Sequence, residues 1–217
     1  MTRGLVQRAV LGVGLVIALA LGSGARAAAV DSVETLVAYL DGLETLAARF
    51  TQARYDEYGE LLETAGGEAR IARPGRFRWE YTEPYVQTLV TDGRTFWIHD
   101  VDLNQVTVNA VGAGGRGSPA ELLGAEFAVL DRYTIARLAD EDGLAWFRLT
   151  PNAPDREFQA VDLGMRDGEL AAMRLQDNLG QTTRLEFSAV IRNGPIDPAR
   201  FEFTPPPGVD IVQGGAP

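Results

Sequence analysis

Few residues in this chain could do covalent or metal chemistry. His99 is the one histidine and there is no cysteine, which removes the usual thiol nucleophiles and zinc constellations. A hydrolase would pair His99 with Asp100 or Asp102 and a distant serine, but no G-x-S-x-G elbow occurs. Asp100 and Asp102 form a D-x-D without the glycine and distal glutamate of a calcium loop. The acidic pairs Asp56 with Glu57 and Glu141 with Asp142 have the composition of glycosidase carboxylates. They fall in predicted turns, where acidic side chains serve as solvated caps. Gly112 to Gly117 lacks the G-x-x-x-x-G-K-S/T pattern and follows no buried parallel strand, so it reads as a hinge and not a phosphate loop. These residues point away from catalysis, and neither a metal nor a cofactor is expected.

An aromatic surface is the stronger signal. In Arg76-Phe77-Arg78-Trp79-Glu80-Tyr81 the side chains alternate, placing Phe77, Trp79 and Tyr81 on one face of a strand and Arg76, Arg78 and Glu80 on the other. Phe50, Phe96 and Trp146 add large rings elsewhere. Together they suit either an ordinary core or the wall of an apolar cavity, and periodicity alone does not choose between the two. Arg73 precedes Pro74, which restricts its backbone and aims its side chain.

The elements that must position these rings follow from hydrophobic period. Asp31 to Gly42 predicts a short amphipathic helix, with Asp31 and Glu34 as a capping box and Val33, Leu36, Val37, Leu40 and Leu43 as its apolar stripe. So short a helix needs docking for its stability. The period then changes to two. Strands are predicted around Leu46 to Phe50, Glu60 to Ala72, Phe77, Val86 to Thr91, Arg94 to His99 and Gln105 to Val111. Others follow over Tyr133 to Asp140, Leu144 to Thr150, Phe158 to Arg166, Glu169 to Gln176 and Gln181 to Ile191. Short turns such as Asp92-Gly93 and Asp167-Gly168 make sequential strands antiparallel neighbours.

Roughly eleven strands are more than a flat sheet holds comfortably. The expected fold is mainly β, of the α+β kind: a strongly curved antiparallel sheet forming an incomplete barrel, its concave face covered by short lid helices. Leu36 and Leu40 belong to one lid element. Leu122 and Leu123 belong to a second, opened by Ser118-Pro119-Ala120-Glu121 with serine at the N-cap and proline at the first helical position. The segment from Phe201 to Gly208 reads as a stiff extended end of the domain.

Arg3 and Arg8, the apolar run Ala9 to Leu21 and the small-x-small Ala25-Arg26-Ala27 predict an export signal over residues 1–27. The remaining 28–217 suit a single domain. Losing three arginines takes the net charge from -10 to about -13. Such acidity argues against nucleic acid and against lingering on an anionic membrane surface. An exported chain without cysteine has no disulfide and no lipid-modified cysteine anchor, so a free soluble monomer is expected.

Several stretches, in order, resemble the periplasmic outer-membrane lipoprotein carrier family, LolA. They are Phe50-Thr51-Gln52, Arg73-Pro74-Gly75-Arg76-Phe77-Arg78-Trp79-Glu80, Thr91-Asp92-Gly93-Arg94-Thr95-Phe96-Trp97, Ser118-Pro119, and Phe203-Thr204-Pro205-Pro206 with Gly208-Val209. The resemblance implies a curved, incomplete barrel closed by a helical lid, whose apolar interior receives the acyl chains of lipoproteins. Phe50, Phe77, Trp79, Tyr81, Phe96 and Trp146 would then line the cavity or its entrance. It implies that the arginine matching Arg73 latches the lid through backbone carbonyls, and that the phenylalanine matching Phe77 lies at the entrance. The implied partners are acylated lipoproteins, an inner-membrane ATP-binding-cassette complex that releases them, and a lipid-anchored acceptor at the outer membrane. Other readings are a lipid- or lipoprotein-sensing regulatory domain of the same fold and, further off, a periplasmic hydrolase.

Overall fold

The computed structural model describes residues 31–110, 123–124, 131–153 and 158–214. The expected signal segment, Ser118 to Leu122 and the Gly112 to Gly117 hinge lie outside them. Helix α1 spans Val33–Asp41 and precedes strands β1 (Thr45–Tyr55), β2 (Leu61–Ala72), β3 (Arg76–Glu83), β4 (Gln87–Thr91), β5 (Thr95–Asp100) and β6 (Gln105–Ala110). Strands β7 (Tyr133–Arg137), β8 (Ala145–Pro151), β9 (Phe158–Arg166), β10 (Glu169–Asp177) and β11 (Thr182–Arg192) follow, then a 3-10 turn at Pro198–Phe201 and strand β12 (Asp210–Gln213).

The strands form one sheet in the order β12-β6-β5-β4-β3-β2-β1-β11-β10-β9-β8-β7. It is a mainly β, open sheet, with β12 and β7 as its edges. Hairpins build the two arms, and the pairing of β1 with β11 joins them. That pairing links residues more than a hundred positions apart, so no local turn signal announces it.

Alternation gives the sheet two distinct faces. Leu46, Ala48 and Phe50 of β1, Ala69 and Ile71 of β2, Phe77 and Trp79 of β3, and Leu185 and Phe187 of β11 share one buried cluster with Leu36, Tyr39, Leu40 and Leu43. The helix therefore lies on this inner face. Each fully buried leucine of α1 contributes about 1.5–3 kcal/mol, which a nine-residue helix cannot draw from propensity. The outer face carries arginines and acids instead: Arg70 bridges Glu68 and Glu80, Arg78 meets Glu80, and Arg148 binds Asp162 through two bonds of 2.7 and 2.8 Å.

Three sequence expectations change. The cap of α1 is Ser32, not Asp31: its hydroxyl accepts from the Thr35 amide and the Thr35 hydroxyl accepts from the Ser32 amide. Threonine three residues on completes the box one position later than the acid at Glu34 suggested. The sheet of the described residues has twelve strands. The added strand, β12, pairs with β6 in parallel, because the segment after β11 crosses the outer face before joining the sheet and so arrives in the same direction as β6.

That crossing segment is a strap and not the end of the domain, which continues into β12. Phe201 is buried under the Arg76 guanidinium at 5.6 Å, and Arg78 donates to the Arg200 carbonyl at 3.5 Å. The Phe203 ring lies 6.0 Å from Trp97 and 5.7 Å from His99. Arg76 and Arg78 therefore hold the chain's own strap. Replacing a buried phenylalanine by alanine removes about 3–5 kcal/mol. Phe201→Ala is expected to lower the unfolding free energy by that amount, measured from the shift of a guanidinium-chloride midpoint.

Candidate functional site

Strands β1, β3 and β5 carry Phe50, Phe77, Trp79, Tyr81 and Phe96 onto the inner face. Phe50 lies 4.5 Å from Trp79 and 5.3 Å from Tyr81, the latter edge-on at 87°. Phe77 and Phe96 are 5.7 Å apart, and Trp79 meets Phe187 at 6.3 Å. Gly67 permits this packing: opposite Phe50, a Cβ would stand 1.8 Å from the Glu80 carbonyl oxygen and 3.1 Å from the Phe50 ring.

Polarity rises along β3. Phe77 is all hydrocarbon, Trp79 adds an indole N–H, and the Tyr81 hydroxyl donates to Gln52 Oε1 at 3.1 Å. Burial pushes the Tyr81 pKa up to about 12, helped by the nearby Tyr85.

Two chain segments cover the rings. Leu36 and Leu40 of α1 and Leu123 are buried in the same cluster, and Gly124 rests against Ile71 and the Phe77 ring. Leu122 lies outside the described residues. Arg73, in the turn between β2 and β3, connects both covers. Its Nε donates to the Leu123 carbonyl at 2.9 Å and its Nη1 to the Leu40 carbonyl at 2.6 Å. Gly75 adds a backbone bond to the Gly124 carbonyl at 2.9 Å.

The Leu40 carbonyl belongs to the last turn of α1, where carbonyls lack intrahelical partners and positive charge is favourable. Helix α1 has no basic residue in its last turn, so Arg73 supplies that charge from another element. Burial lowers the Arg73 pKa, while Asp41 and Tyr39 oppose the shift.

Tyr39 fastens the other side of α1. Its hydroxyl donates to Glu169 at 3.2 Å and accepts the Leu170 amide at 3.3 Å, while Arg192 lies 4.8 Å over its ring. Burial raises the Tyr39 pKa to about 12, with Glu169 adding to the rise. Sequence reading passed over this residue, although its place three after Leu36 and four before Leu43 puts it on the apolar stripe.

Trp146 does not reach the inner face. It packs with Leu144 and Ala172 in a separate cluster, under Arg174 at 3.9 Å and over Gly164, where a Cβ would meet its ring at 3.0 Å. Phe147, one residue on, points into the inner cluster instead. Both neighbours are apolar, so alternation alone could not tell which faced inward.

The groups that suggested chemistry are dispersed. His99 faces the strap. Asp100 accepts the Leu103 amide and the Gln87 side chain, Asp56 caps the amides of Tyr58 and Glu60, and Glu141 forms a two-bond pair with Arg174. These are turn caps and ion pairs, not a convergent set.

A family model described as "Outer membrane lipoprotein carrier protein LolA" matches residues 41–204. The chain belongs to the LolA family. A relative from Methylococcus capsulatus, named outer-membrane lipoprotein carrier protein, is 42% identical over 178 residues, covering 82% of this chain and 86% of its own. One of the same name from Chromobacterium violaceum is 42% identical over 197 residues, covering 91% and 94%. Among solved structures, an uncharacterized conserved protein from Thermus thermophilus shares the fold at 14% identity, with a TM-score of 0.54 over 83% of this chain and 98% of that one.

Two outcomes follow from these contacts. Hydrogen bonds from a charged donor are each worth about 1.5–3 kcal/mol before desolvation is set against them. Arg73→Leu is therefore expected to speed amide exchange in α1 and at Leu123-Gly124 by at least about tenfold, with strands β9 and β10 unchanged. Tyr39 and Tyr81 keep their protons in the folded state to about pH 12, against an ordinary value near 10. Their contribution is complete below about pH 10 and is lost as pH rises toward 12. Ultraviolet titration should show two tyrosines ionising late in the native protein and near 10 in denaturant.

Proposed function

We propose that this protein is a lipoprotein carrier of the periplasm, sheltering acyl chains of lipoproteins between the inner and outer membranes. The observation that carries this reading is the cover over the apolar inner face, whose two segments meet on one removable side chain, Arg73. Family membership and the names of its relatives supply the cargo class.

The physical demands of such a carrier match the parts. Each methylene taken out of water contributes about 0.8 kcal/mol, so acyl chains need an apolar refuge to cross an aqueous compartment. A refuge sealed only by apolar packing would hold them too tightly. Arg73 stabilises the covered state through directional bonds that are lost when α1 and the Leu123 segment lift. Cargo then competes with the cover for the same apolar face, and loading is a two-state exchange.

In this reading Arg73 is the latch, and Phe50, Phe77, Trp79, Tyr81 and Phe96 are the wall that opening exposes. Leu36, Leu40, Leu122 and Leu123 are the lid. Residues 1–27 direct export and 28–217 work as one domain. Among the described residues no helix is long and apolar enough to cross a membrane. An ATP-driven extraction complex of the inner membrane would load the carrier, and a lipid-anchored acceptor would receive the cargo.

Purified protein, added to spheroplasts with the cognate extraction complex, is expected to bring a newly made acylated lipoprotein into the soluble fraction as a one-to-one complex. Cargo remaining in the membrane, with the added protein folded, would exclude the carrier reading.

A further inference from the structure

The outer face of the sheet is covered in two places. The strap lies over β3 and β5. The β7–β8 connection folds over β10 and β11, where Glu141 meets Arg174 and Asp142 meets Arg184. Between the two covers a groove of about 640 Å3 opens over β1 and β2, with Thr51, Ala53 and Thr64 on its floor, Glu83 on one wall and Arg184 and Glu186 on the other.

Register explains this shape. Thr51 stands opposite Gly66 of β2 and Glu186 of β11, and Ala53 opposite Thr64 and Arg184, so small side chains fill the middle of the row and charged ones its sides. Gly66 leaves room for the Glu83 carboxylate to lie on the strand: a Cβ there would stand 3.0 Å from Glu83 Oε1. Arg184 is shared by Glu186 at 3.1 Å and Asp142 at 3.5 Å. Three carboxylates, Glu83, Glu186 and Asp142, thus surround one guanidinium.

Beyond Tyr55, at the end of the groove, the β1–β2 turn exposes Tyr58, Leu61 and Leu62 beside the acids Asp56, Glu57 and Glu60. The β10–β11 turn adds exposed Leu179, and its Gly180 packs against Glu57. Large apolar side chains gathered in the open mark a contact surface, whereas scattered ones do not. The carboxylates around them select the partner.

An anionic bilayer and a second copy of this acidic chain are both repelled by such a surface. Glu83 and Glu186 stand three strand spacings apart, roughly 14 Å, which admits one extended chain between them. We infer that the groove and the hairpin tip beyond it bind an extended, basic segment of another protein. Its lysine or arginine side chains meet Glu83 and Glu186, and its apolar side chains meet Tyr58, Leu61 and Leu62. The small floor lets the backbone of the segment come close, where the hydroxyls of Thr51 and Thr64 can bond it. The aromatic wall and its cover lie on the inner face, so this segment and an acyl chain do not compete. The inference does not depend on the carrier reading.

Acetylated, amidated octapeptides serve as probes: one alternates lysine with leucine, one lysine with serine and one glutamate with leucine. Titrated into the full protein at physiological salt, the lysine–leucine peptide should shift the amide resonances of Thr51, Ala53, Thr64 and Gly66 and of Tyr58 to Leu62, leaving those of Phe77 and Phe96 in place. It should bind about tenfold tighter than the lysine–serine peptide, through the apolar contacts, and the glutamate peptide should not bind. The double substitution Glu83→Gln with Glu186→Gln, at two exposed positions, should weaken it about threefold to tenfold for the loss of two exposed ion pairs. Shifts spread evenly over the acidic surface, unchanged affinity in the double variant, or equal binding of the lysine–serine peptide would overturn the assignment. Phosphatidylglycerol vesicles shifting the same resonances would overturn it too, and make this face a membrane contact. None of these results bears on the acyl-chain site.

Discussion

One guanidinium shared between two peptide carbonyls ties the two described segments of the cover to the sheet. The Leu40 carbonyl lies in the last turn of α1 and the Leu123 carbonyl in the other cover segment, and both accept from Arg73. Apolar packing places these segments on the sheet but has little directional preference. The hydrogen bonds have direction, and each is lost when the segment that carries its carbonyl moves away. Position matters as much as strength: Arg73 stands at the end of β2, beside the strand that carries Phe77 and Trp79, so closure and the aromatic surface share one hairpin.

The rest of the fold keeps that hairpin in place and its inner face free of competing bonds. Outer-face arginines are engaged with carboxylates, with the Trp146 ring and with the strap. This leaves the inner face almost purely apolar, where the few polar atoms acquire meaning. Tyr39 uses its hydroxyl to hold α1 to β10. Tyr81 directs its proton to Gln52.

Helix α1 shows how a weak element becomes dependable. Nine residues with a serine cap would form little helix alone. Leucines on one stripe, Tyr39 tied to β10 and Arg73 at the carboxyl end fix it from three sides. Removing the Arg73 contact would leave the other two in place.

The strands of both arms apart from β12, the amphipathic helix and the division of β3 into a greasy and a charged face were legible from residue order, because period and turn chemistry are local properties. Resemblance to a carrier family was legible too, since the motif around Arg73 and Phe77 survives as a contiguous string. The face chosen by Trp146 was not, because it and Phe147 are both large and apolar and only the pairing of Trp146 with Gly164 gave the indole its place. The strap was not, because Phe201 and Phe203 sit in proline-rich sequence with no partner visible along the chain. The joining of the two arms through β1 and β11 and the two carbonyls that meet Arg73 are encounters between distant segments. Sequence by itself determined which surfaces could exist; only the tertiary structure decided which of them face each other, since that depends on long-range pairing that no local pattern encodes.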